Sequence, residues 1–386
     1  MIASRVMNFD DAPADAAFRA ELRAWLAANH PGELPDDLDA AFDLRRAWQA
    51  RMAASGWGAP SWPPEWGGRG ASVAQQIVFQ EEMALARVPP IANAIAVWNI
   101  GPALLQYGTE EQKQRWLPPM LRADAIWCQG FSEPDAGSDL AAVGTRAVRD
   151  GDAYVVNGRK IWISYGSKAD RCFLLCRTGS AEDRHRGLTI LVVDVRAPGV
   201  TVSPLRDITG DAAFSEVLFE DVRVPVSDRV GDEGDGWRVA MSTLTHERIG
   251  TVTYGIQLRQ KLETLLRHRE VDGALTAQET GALWCNVELI RLTALRAVTK
   301  AGRGEEPVPE VPIGKLLWSV VAQQLADTAT HAFGLDGLLW RGDAGAPDGG
   351  RWAYDEVWSR MTTIGAGTTE IQKTILAERA LGMPRG

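Results

Sequence analysis

The segment Phe131-Ser-Glu-Pro-Asp-Ala-Gly-Ser-Asp139 is the part of this 386-residue chain whose composition most invites a ligand. Glycine and alanine leave room for close approach, and serine hydroxyls and backbone N–H groups can face a polar group directly. The chain also holds 15 tryptophans, which supply either packing or flat surfaces for a planar ligand. Other chemical signatures are missing. Gly231-Asp-Glu-Gly-Asp-Gly236 is rich in glycine but is not GxGxxG after a strand, so a dinucleotide would need another scaffold. No Walker A, HExxH or GxSxG stretch occurs. His30, His185 and His268 have no companions at metal-ligand spacing, and no metal site is expected. Cys128, Cys172, Cys176 and Cys285 form no CxxC pair; they read as buried free thiols of a reducing cytoplasm.

The elements around that segment change character twice. Residues 1–120 read as mostly helical. Phe18, Leu22, Trp25 and Leu26 fall on one helix face, and Pro31-Gly32 stops the pattern. A second helix is expected from near Ser72, with Val73, Ile77 and Ala84 on one face. Between them, Gly56 to Gly70 is a loop pinned by Trp57, Trp62 and Trp66. After about Ala123, short β-type runs take over. Tyr154-Val-Val-Asn-Gly-Arg-Lys-Ile-Trp-Ile163 reads as a hairpin turning at Asn157-Gly158. Cys172–Cys176, Leu188–Asp194 and Ser215–Phe219 are further strands. Helical periodicity returns from Gly236. Leu283, Val287, Ile290 and Ala294 form one stripe; Ile313, Leu316, Leu317, Val320 and Leu325 form another; a last helix starts near Thr368. Helices, then β unit, then helices gives an α+β multidomain class, divided at 1–123, 124–232 and 233–386.

The bulk numbers narrow the function. Hydrophobic residues make up 45% and charged residues 24%, as in a soluble globular protein. A net charge of −9 excludes a basic nucleic-acid footprint, though a local Arg or Lys cluster can still hold an anion. No apolar run of membrane-spanning length occurs, and Asp10, Asp11 and Asp15 near the N-terminus argue against a secretory signal. A cytoplasmic protein is expected.

Four segments, in order, carry a family resemblance over about residues 13–382. They are Phe131–Asp139, Asn157-Gly-Arg-Lys-Ile-Trp-Ile-Ser164, Asp221-Val-Arg-Val-Pro225 and Gly365-Ala-Gly-Thr-Thr-Glu-Ile-Gln372. Together they resemble the FAD-dependent acyl-CoA dehydrogenases. The resemblance implies an N-terminal helical domain, a central antiparallel β-barrel-like domain and a C-terminal four-helix-bundle domain. It implies FAD as cofactor, with Phe131, Ser132, Trp162 and Ser164 at the isoalloxazine ring and Ser132 in place of the usual Thr. Gln129 stands at another position of that flavin segment, where an aromatic is common. Thr368 and Glu370 would meet the FAD ribose and diphosphate region, and Ser138 the CoA portion. Arg269 stands near where the family has an arginine that reaches the FAD of a neighbouring subunit, but Asp272 replaces a Phe beside it. The Gly334-Leu-Asp-Gly337 stretch and His331 depart from the family pattern as well.

The family's chemistry removes the proton α to a thioester with a carboxylate while the flavin takes a hydride from the β carbon. Many members carry that carboxylate directly before Gly-Thr of the last segment; this chain has Ala366 there. A minority carries it on a helix after the β domain, just before an arginine, and Glu247-Arg248 stands at that place. Glu247 is therefore the implied base, and Arg248 the implied CoA contact. His246 lies about 100° round the helix from Glu247 and reads as structural. Ala366 retains a backbone N–H that could support the thioester oxygen. The implied reaction converts an acyl-CoA to the trans-2-enoyl-CoA, with an electron-transfer flavoprotein as acceptor and a homodimeric or homotetrameric assembly. Two alternatives stay open: a flavin-dependent oxidase or hydroxylase of the same fold, and a non-catalytic subunit of a heteromeric dehydrogenase.

Overall fold

The computed structural model describes residues 11–35, 37–246, 250–268, 275–303 and 305–384. The first unit is helical: α1 (Pro13–Asn29), α2 (Leu38–Ala54), α3 (Val73–Leu85), α4 (Gly101–Tyr107) and α5 (Glu110–Leu121). The helix expected near Ser72 is thus the third, because α2 lacks a clean apolar stripe. Its buried Phe42, Trp48, Gln49 and Met52 include a polar residue that the pattern does not count. Two helices start with capping boxes, Ser72 with Gln75 and Thr109 with Gln112, which satisfy first-turn N–H groups. The loop after α2 is fixed as expected, with Trp57 and Trp62 each 1% exposed.

The middle unit is one eight-stranded sheet: β1 (Trp127–Gly130), β2 (Arg146–Asp150), β3 (Ala153–Ser164), β4 (Arg171–Arg177), β5 (Leu188–Asp194), β6 (Val200–Leu205), β7 (Phe214–Pro225) and β8 (Arg229–Val230). The strand order is β6-β7-β3-β2-β4-β5-β8, with β1 added beside β4. It is antiparallel-rich, but β1 runs parallel to β4, and β2 meets β4 in parallel at Arg146 and Arg177. The hairpin expected at Asn157-Gly158 is overturned: β3 runs unbroken through both residues. The register shifts between Val156 and Gly158 opposite β7, so the pair marks a bulge. Gly158 is needed there because a Cβ would stand 2.6 Å from the Thr145 Cα, at φ +150°.

The last unit is helical again: α6 (Gly236–His246), α7 (Gly250–Leu265), α8 (Ala277–Gly302), α9 (Glu310–Ala332), α10 (Arg351–Trp358) and α11 (Thr369–Ile375). Helices α7, α8 and α9 pack on one another, and α10 and α11 pack on α9. The α8 stripe is buried as expected, with Leu283, Val287, Ile290 and Ala294 each at most 5% exposed. The α9 stripe is buried only in part, at Leu325 and, less fully, at Leu316 and Leu317. Ile313 is 37% and Val320 50% exposed, while Trp318, Val321, Leu325 and Ala329 face the core. Apolar residues occur on both sides of α9, and the inner face admits Lys315 and Ser319. Cys285 is also exposed, unlike the other three cysteines.

The units are interlocked by buried amides. Asn93 Oδ1 accepts from Trp127 N–H at the start of β1, and its Nδ2 donates to Met120 O and Ala125 O. Gln112 Nε2 reaches Ser227 O and Arg229 O beside β8. No described helix is long and apolar enough to cross a membrane.

Candidate active site

Strand β1 delivers the chain into the glycine- and serine-rich segment. Phe131 is 5% exposed and its ring lies 6.5 Å from that of Phe173 on β4. Glu133 and Ala136 exchange backbone hydrogen bonds, which closes a tight turn. Ser138 follows on its exposed side. The segment is then tied to β3: Ile161 N–H donates to Ser132 O at 3.0 Å.

Just past that tie, β3 gains one residue relative to β7 between Lys160 and Ile163. Such a bulge re-aims a side chain. Trp162 takes φ +59°, and its indole is left 57% exposed, edge-on to Phe214 at 6.0 Å. Ser164 pairs with Phe214 two residues on. Phe131, Ser132, Trp162 and Ser164 are therefore gathered by one strand junction. A large aromatic held in the open by a left-handed backbone gains little from burial, which points to a ligand surface. Gln129 adds an acceptor: its Oε1 is buried with no hydrogen-bond partner among the described residues. Buried polar atoms are rarely left so.

Two residues that sequence reasoning passed over hold the junction together. Lys160 is fully buried; its Nζ donates to Phe131 O at 2.8 Å and pairs with Glu133 Oε1 at 2.7 Å. Glu133 also accepts from Gly144 N–H at 2.7 Å and Thr145 N–H at 2.9 Å. Burial works to raise the Glu133 pKa, but the Lys160 charge and these hydrogen bonds outweigh it and hold the carboxyl below its ordinary value. Burial lowers the Lys160 pKa, and Glu133 opposes that shift. The signal was present in the alternation, since Lys160 shares the inward face with Tyr154 and Val156.

The C-terminal segment is built separately. Lys315 Nζ and Ser319 Oγ on α9 both donate to Thr362 O, at 2.6 and 2.7 Å, and so anchor the chain just before Gly365. Ala366 then takes φ +54° and Gly367 φ +84°. Gln372 Nε2 donates to Ala366 O at 3.1 Å, turning that carbonyl toward α11. The Ala366 N–H has no hydrogen-bond acceptor among the described residues. Thr368 caps α11 by accepting from Ile371 N–H, and Glu370 lies exposed in its first turn. Glu247, Arg248 and Arg269 lie outside the described residues. Helix α6, which leads to Glu247, packs on α4 and β5. Its first residue, Gly236, approaches so closely that a Cβ would stand 2.4 Å from Thr189 N.

Among the described residues no cluster of His, Cys, Asp and Glu could hold a metal ion. The junction presents the exposed indole of Trp162 together with polar groups at Gln129, Ser132 and Ser164.

Known proteins agree with this architecture. The acyl-CoA dehydrogenase N-terminal, middle and C-terminal domain families match residues 13–124, 128–222 and 234–381. The acyl-CoA dehydrogenase IpdE1 of Mycobacterium tuberculosis is 40% identical over 383 residues, covering 95% of this chain and 97% of that protein. The structure titled Tcur3481-Tcur3483 steroid ACAD is 30% identical with a TM-score of 0.86, covering 98% of this chain and 100% of its own. The ChsE4-ChsE5 complex from Mycobacterium tuberculosis is 30% identical with a TM-score of 0.85, again over 98% and 100%. By all three domains and by these relatives, the chain belongs to the acyl-CoA dehydrogenase family.

Proposed function

We propose that this chain binds FAD and dehydrogenates an acyl-CoA thioester between its α and β carbons, giving the trans-2-enoyl-CoA. Members of the family are flavoproteins, generally FAD-binding. The observation that carries the reading is the exposed, left-handed Trp162 beside Ser132 and Ser164. The residues fit the cofactor: the orphaned Gln129 oxygen suits the ring's N–H donor, and the serine hydroxyls suit its nitrogens and carbonyls. When bound, FAD supplies the hydride acceptor.

The chain supplies the rest. Ser132 and Ser164 orient the ring, and Trp162 covers one side of it. Glu247 takes the α proton, a role Ala366 cannot fill. The Ala366 N–H, which finds no acceptor among the described residues, supports the thioester oxygen as negative charge grows there. Ser138 and Arg248 hold the CoA portion, Thr368 and Glu370 serve the FAD ribose and diphosphate, and Arg269 reaches the FAD of a neighbouring subunit. Electrons leave to an electron-transfer flavoprotein. Replacing the base tests the assignment: Glu247→Gln protein, loaded with FAD, is expected to bleach at least about a thousandfold more slowly with acyl-CoA under anaerobic conditions. Bleaching at the wild-type rate removes Glu247 from that role. The name of one relative places steroid-type acyl-CoA thioesters in the first substrate panel.

A second reading makes this chain one half of a two-chain enzyme. Two relatives at TM-scores of 0.86 and 0.85 are named as pairs of chains, and this chain lacks the carboxylate at Ala366. Purified chain that is yellow and active alone rules this reading out.

A further inference from the structure

Lys160 does more than a loop anchor requires. Burying an ammonium is unfavourable unless it is paired and hydrogen-bonded, and a neutral donor would fix the loop at less cost. The atom it touches explains the charge. Phe131 O, 2.8 Å from Lys160 Nζ, belongs to the same amide group as Ser132 N–H. Hydrogen bonds from an ionised donor are about twice as strong as neutral ones, and bonds in series polarise one another. A cation on the carbonyl end therefore strengthens the N–H at the other end. Glu133 offsets only part of the field, because its carboxylate also serves the Gly144 and Thr145 N–H groups.

We propose that Lys160 is a positioning residue that polarises the Phe131–Ser132 amide toward the flavin ring, so that the electron-rich reduced ring is held more tightly than the oxidised one. This rests on the flavin reading above, which puts the ring at Ser132. Glu133 keeps Lys160 charged and aimed at the carbonyl.

The test uses Lys160→Met/Glu133→Gln, which removes both charges and keeps both shapes, a change buried pairs often tolerate. Lys160→Gln, which retains a neutral donor, is the second variant. Wild type and variants are loaded with FAD; affinity for oxidised FAD and the two-electron midpoint potential are measured. Oxidised FAD is expected to stay bound, while reduced FAD weakens about tenfold more, lowering the potential by about 30 mV. FAD-loaded variants with the wild-type potential overturn the role of Lys160 and leave the flavin site standing. A variant that loses affinity equally in both redox states makes Lys160 a loop anchor only, which also overturns the proposal. Wild-type protein that takes up no FAD overturns the site and the proposal together.

Discussion

Trp162 separates stability from function. Its side chain is 57% exposed, and its backbone sits at φ +59°. Removing an exposed side chain usually changes stability by less than about 0.5 kcal/mol, whereas a stacked aromatic pair contributes about 0.5–1.5 kcal/mol. Trp162→Ala is therefore expected to keep the thermal midpoint and to weaken FAD by up to about tenfold, read by fluorescence titration. An unchanged affinity would detach Trp162 from the flavin. Ala366 offers a complementary test. Its left-handed conformation is already occupied by a residue with a Cβ, so a longer side chain adds little backbone strain. Combining Ala366→Glu with Glu247→Gln is expected to restore part of the lost bleaching. If the double variant is as slow as Glu247→Gln alone, position 366 does not face the α carbon.

At the scale of elements, β3 carries the site and is also where the sequence misleads. Asn-Gly between alternating apolar residues is a strong hairpin signal. Here the glycine instead answers the close approach of Thr145 from the neighbouring chain segment, a long-range contact no local pattern contains. Gly158→Ala is expected to cost about 1–3 kcal/mol and to lower the unfolding midpoint. The same limit explains α9: its outer apolar residues look like core in one dimension, while the core face carries Lys315 and Ser319 to anchor Thr362. Motif residues were legible because they are local. The Lys160–Glu133 pair was not, since 27 residues separate its members. Between α1 and α3, Arg19 joins Glu81 and Glu82, and Arg23 joins Glu82, whose side chain is 4% exposed. Burial would raise the Glu82 pKa, but the hydrogen bonds and charges of Arg23 and Arg19 win and lower it. A lowered carboxylate pKa adds stability that is complete above the unfolded value, about 4.3, and is lost as pH falls through the folded one. Thermal midpoints between about pH 6 and pH 3 should fall less steeply for Glu82→Gln than for wild type. Parallel slopes would show that this network does not set acid stability.

At the scale of the whole molecule, four exposed apolar side chains are poorly explained by a single chain. Ile313 and Val320 on α9, and Leu289 and Leu292 on α8, are between 36% and 50% exposed. They lie on the two longest helices of the last unit, whose inner faces already fill its core. Scattered exposed apolar residues are ordinary, but apolar residues on two long helices suit contact with another subunit. Subunit interfaces that persist in solution bury about 1,200–2,000 Å², and their centres tolerate charge poorly. Val320 is 50% exposed in the lone chain, so a glutamate there can stay hydrated and should leave the monomer's fold intact. In an assembly it would be forced into an apolar centre at a cost of several kcal/mol. Light scattering of Val320→Glu should therefore fall toward the 42.0 kDa of one chain, with wild type at a multiple of it. Wild-type and variant masses that agree would place the contact elsewhere. If the subunits do part, the FAD content of the separated chain shows whether the cofactor site is complete within one chain or borrows from its neighbour, as Arg269 would require.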